Sequence, residues 1–106
     1  MSNAMTQAVT QVIEALDAQE RAILRGDVEE LERWTAEVQA RTEAVPPRQS
    51  LDLEGQPRLK AQVLELAERL HRAAYRNAKL LLNARRTTKE LLDVVRTNGL
   101  GIAREA

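Results

Sequence analysis

From Leu59 onward, apolar residues recur in steps of four and three: Leu59, Val63, Leu66, Leu70, Ala73, then Asn77, Leu80, Ala84, Thr87, Leu91 and Val94. That rhythm holds one seam on a single face of a helix, as in coiled-coil packing. Ala67, Ala74, Leu81, Leu92 and Val95 widen the seam beyond what a two-stranded zipper needs. Neither Pro nor Gly interrupts the stretch, so the pattern predicts one helix over 58–98, roughly 60 Å long. Asn98-Gly99 reads as its stop signal, because both residues tolerate the left-handed geometry of a helix end. Residues 99–106 are then a C-terminal tail.

The first half predicts helix over 6–44. Val9, Val12, Ile13, Leu16, Ile23 and Leu24 fall at helical spacing, followed by Val28, Leu31, Trp34 and Val38. Gly26 is the soft point, and Asp27 with Glu30 has the form of a capping box that starts a new helix. The apolar stripe keeps its phase across the gap, so the expectation is a continuous helix with at most a mild kink. Val45-Pro46-Pro47 ends this stretch, since Pro disfavours helical geometry in the residue before it. Residues 45–57 hold all three Pro and read as a loop, which Leu51 and Leu53 are placed to pin to the helices. The fold class is therefore all-α: a long antiparallel helical hairpin or small helical bundle with coiled-coil-like packing. Two long helices have few ways to cover both apolar faces, so self-association or a bound helical segment is expected to complete the core.

A chain of 106 residues supports one core, and the composition suits it, with 43% apolar and 30% charged residues. Residues 1–4 (Met1-Ser2-Asn3-Ala4) read as an expression tag ahead of a start at Met5, leaving 5–106 as a single domain. No run approaches the ~20 apolar residues that span a bilayer, so membrane insertion is not expected. The net charge of zero hides an asymmetry: residues 1–57 carry 5 basic against 11 acidic residues, and residues 58–106 carry 11 against 5. Halves of −6 and +6 favour docking on each other or on a second copy. The basic half lacks aromatic or glycine interleaving, which argues against a nucleic-acid partner.

Catalytic chemistry finds little to work with. There is no Cys and one His, and no Ser or Thr sits in a nucleophile-elbow sequence. Glu68-x-x-His71 matches half of a di-iron motif, but a second copy of the motif is missing, so neither a metal site nor a cofactor is expected. Gly99-Leu100-Gly101 follows a helix and offers no helix N-terminus to a phosphate. An enzyme is not expected. Asn77 is more informative: a seam Asn fixes register or oligomeric state, or bonds to a partner's backbone. Between Leu80 and Val95 the apolar residues outnumber what one hairpin seam uses, which points either to a groove for another helix or to extra core.

The order and spacing of these features resemble the FlgN family of flagellar export chaperones. The likeness covers about Val12 to Val95 and rests on Glu20 with the Leu24-x-Gly26-Asp27-x-x-x-Leu31 step, then Asn77 followed by Leu80-Leu81. It implies a cytoplasmic, non-enzymatic protein that holds C-terminal helical segments of hook-associated (hook-filament junction) proteins and hands them to the type III export apparatus. By position on the second long helix, the implied cargo contacts are Leu80, Leu81, Ala84, Thr88, Leu91, Leu92 and Val95. Family tails often carry a Tyr and a Gly for the export gate; residues 98–106 here contain no aromatic. A FliT-like export chaperone with other cargo and a plain coiled-coil dimerisation module fit the same pattern.

Overall fold

A computed structural model describes residues 4–47 and 55–105, with side-chain surroundings up to Asn98. Among the described residues there are three helices, α1 (Ala4–Arg25), α2 (Val28–Glu43) and α3 (Pro57–Glu105), and no strand. No helix among them is long and apolar enough to cross a membrane. The all-α expectation holds. Leu51 and Leu53 lie outside the described residues.

The chain reverses at Gly26 instead of bending mildly. Gly26 sits at φ +66°, and its N–H donates to the Ile23 carbonyl at 3.1 Å while the Asp27 N–H reaches the Ala22 carbonyl at 3.0 Å. These two bonds form a Schellman closure of α1. Asp27 then caps α2, its carboxylate accepting from the Glu30 N–H at 3.1 Å. One left-handed Gly and one extended Asp thus turn the chain back on itself. Arg41 donates to the Gln11 carbonyl and Gln19 donates to Thr35, so α1 and α2 run antiparallel. The stripe kept its phase because both helices aim it at the same core. A Cβ at Gly26 meets no atom within 4 Å, so only the left-handed backbone opposes a side chain there. Gly26→Ala is therefore expected to cost about 1–2 kcal/mol in chemical denaturation, and Gly26→Asn less.

α1 is the central helix, packed by α2 on one side and α3 on another, while α2 and α3 do not pack directly on each other. Ala15, Ala18 and Ala22 are buried along α1, and such small side chains let neighbouring helices approach closely. Val12, Leu16 and Ala73 form the core, with Val38, Val45 and Leu70 leaning on it. α3 advances in step with α1: Leu66 lies beside Met5, Asn77 beside Leu16, and Ala84 beside Ala22. The antiparallel pairing is thus α1 with α2, and the second long stretch runs parallel to α1. Asn77, 2% exposed, fixes this register. Its amide donates to the Leu16 carbonyl at 2.7 Å and to Gln19 Oε1 at 2.9 Å, and the Gln19 amide donates to Thr35 Oγ1 at 3.0 Å. One polar chain ties all three helices.

The opposed charges of the two halves meet at Arg76, whose guanidinium pairs with Asp17 at 3.2 Å and with Glu20. All three groups are partly exposed, so the pairs are screened. Arg76→Ala is expected to lower stability by about 1 kcal/mol at low ionic strength, with the deficit shrinking as salt is added.

Helix boundaries differ from expectation at three places. α1 begins at Ala4, within the segment set aside as a tag, and Met5 and Thr6 are buried. Pro57 opens α3, where its missing N–H costs nothing. The largest difference is at the far end: α3 passes through Asn98 and Gly99 to Glu105, so residues 99–105 are helix and not tail. A Gly in a helix interior costs only ~1 kcal/mol, so Asn98-Gly99 permits a stop without enforcing one. The molecule measures 76 × 21 × 20 Å, its length set by the 49 residues of α3.

Candidate functional site

Because α2 and α3 both lean on α1 without packing on each other, a groove remains between them. In its upper part Val12 and Leu16 make the floor, with Val38 on the α2 bank and Leu70 and Ala74 on the α3 bank. Lower down the floor is Ala22 and Ile23, between Val28 and Leu31 on one side and Leu81 and Ala84 on the other. Three helices of a four-helix arrangement are in place, with an apolar trough where a fourth would lie.

The seam of α3 continues past the bundle. Thr88 still lines the end of the groove beside the α1–α2 turn. Residues 89–105 extend beyond it, a span of about 25 Å at helical rise. Along that arm Leu91 is 61%, Leu92 50%, Val94 55% and Val95 63% exposed. Four large apolar side chains within five residues form a patch that nothing among the described residues covers. Such a patch on a protein surface marks an interaction site.

The residues expected from sequence divide between these two regions. Leu80 is half-buried against the bundle, while Leu81 and Ala84 stand on the α3 bank of the groove and Thr88 closes its end. Leu91, Leu92 and Val95 lie on the exposed arm. Leu80 turns toward the bundle, and the other six of the seven therefore trace one path, from groove to arm. Asn77 is not part of it: its bonds are spent inside the chain, on Leu16 and Gln19. The other bank, Val28, Leu31 and Val38, was not assigned to the site from sequence because these residues come opposite α3 only once the chain reverses at Gly26; Ile23, on α1, forms the floor beside them. The signal was present in Gly26 followed by a capping Asp27.

Chemically the floor of the site is apolar, made by Val12, Leu16, Ala22 and Ile23. Glu68 and His71 are both exposed, and no group of three or more metal-ligating side chains occurs among the described residues. No family model, curated protein or solved structure matches the chain.

Proposed function

We propose that this protein is a cytoplasmic helix-holding chaperone of the FlgN kind, which keeps C-terminal helical segments of hook-associated proteins unassembled and available for flagellar type III export. The observation that carries the reading is the apolar groove between α2 and α3, continuous with the uncovered face of the α3 arm. An amphipathic helix exposed on an unassembled subunit needs a preformed apolar trough with a charged exterior and no catalytic group. The Leu- and Val-rich lining adapts to more than one apolar stripe, which suits several related cargoes. Helix-in-groove binding also adds the fourth helix that the bundle lacks.

Titrating C-terminal peptides of hook-associated proteins into the full chain by calorimetry tests the proposal, with sedimentation of the free protein alongside. Saturable binding of one peptide per chain supports it. An absence of binding by every such peptide, together with a stable homo-oligomer that buries the α3 arm, makes the chain a dimerisation module instead.

A further inference from the structure

We propose that the helix received by this groove carries carboxylates along the edge that meets the α3 arm; this rests on the helix-holding reading above and names the chemistry of its partner. Arg85, Lys89 and Arg96 are spaced by four and seven residues, so they form one edge of α3, beside Thr88 and Leu92. Three arginines of the bundle find partners, Arg33 with Glu30, Arg41 with Glu37, and Arg76 with Asp17 and Glu20, while Arg21, Arg25, Arg58, Arg69 and Arg72 make no ion pair among the described residues. What sets the α3 row apart is its place along an apolar stripe. Arg85, Lys89 and Arg96 make no ion pair among the described residues, although Asp93 lies in the same trough. A cationic row flanking an uncovered apolar stripe is complementary to an amphipathic helix with Glu or Asp beside its apolar face.

The same charges disfavour two other occupants. A second copy laid antiparallel across the α3 arm is related by a two-fold axis that puts both basic rows on the same side of the seam, where like charges repel. A nucleic-acid strand laid along the groove meets α2, whose sequence has five Glu against two Arg, and gains nothing from the apolar lining.

Three designed 21-residue peptides test the assignment. They share one leucine stripe at heptad spacing and differ only in flanking the stripe with Glu, Gln or Lys. At low salt the Glu peptide is expected to bind about tenfold tighter than the Lys peptide, as a few exposed pairs of up to ~1 kcal/mol each allow. That margin narrows at high salt. The variant Arg85→Glu/Lys89→Glu/Arg96→Glu, whose changes are all on exposed positions, should reverse the order. If the Gln peptide binds but Glu and Lys peptides bind alike, or if the triple variant keeps the wild-type order, the charge assignment is overturned while the groove stands. Should none of the three bind, the helix-holding reading and this assignment both fall. A homodimer that the triple substitution leaves unchanged, or tight binding of a short DNA duplex that the substitution abolishes, in either case with no preference for Glu, also overturns it.

Discussion

Asn77→Ala is expected to lower the stability of the protein by about 2–3 kcal/mol, the largest loss from any single polar side chain in the fold. Asn77 is almost wholly buried, and its amide satisfies the side-chain oxygen of Gln19 inside the core. Truncation leaves Gln19 Oε1 buried without its donor and opens a small cavity between α1 and α3. For a domain of this size the midpoint of thermal unfolding should fall by roughly 10–20 °C. Asn77→Leu/Gln19→Leu separates the two contributions. It removes the Asn77–Gln19 donor and acceptor together; the exposed Thr35 hydroxyl and the half-exposed Arg76 turn to water, and the Leu16 carbonyl keeps its place in the α1 backbone ladder. If polar satisfaction is what Asn77 supplies, the double variant recovers most of the loss, because removing both partners costs far less than orphaning one. Equal destabilisation in both variants would place the effect in shape and packing instead.

The periodicity of α3 was legible at single-residue level as far as Leu80, because the same heptad rhythm that predicts a helix also predicts which face α1 covers. Leu66, Ala73 and Asn77 are the buried positions of that seam, and Ala84, Thr87, Leu91 and Val94 are exposed beyond it. A repeat states that a face is apolar; it does not say how far the partner helix reaches. That depends on where α1 ends, and so on Gly26. The reversal there was hard to see because a hairpin between two amphipathic helices and one continuous amphipathic helix share a stripe phase when the turn is short. The polar bond from Gln19 to Thr35 is invisible for the same reason, since those residues meet only across the turn. The continuation through Gly99 reflects a weak local preference, worth ~1 kcal/mol, and not a missed pattern.

Leu81→Asp and Leu92→Asp are each expected to reduce affinity for a bound helix by about 10- to 100-fold while leaving the helical content nearly unchanged. The asymmetry follows from where the two side chains sit. Leu81 stands on the bank of the groove at 36% exposure, and Leu92 on the arm at 50%, so in the free protein an Asp at either position reaches water. Once an apolar helix is seated, the same carboxylate is enclosed against the partner's apolar stripe, and its desolvation is charged to the complex alone. Arg85 beside Leu81, and Lys89 and Arg96 beside Leu92, offset that cost only in part. Glu29→Ala, on the exposed side of α2, should bind like wild type and serves as the control. Circular dichroism and calorimetry on the same preparations distinguish lost binding from lost fold. In a plain dimerisation module these Leu→Asp variants would instead dissociate a homo-oligomer, and no peptide would bind even the wild-type chain. Retention of full peptide affinity by both variants would end the assignment of this face as the groove, because no helix can pack along Leu81, Thr88, Leu92 and Val95 without enclosing those two positions.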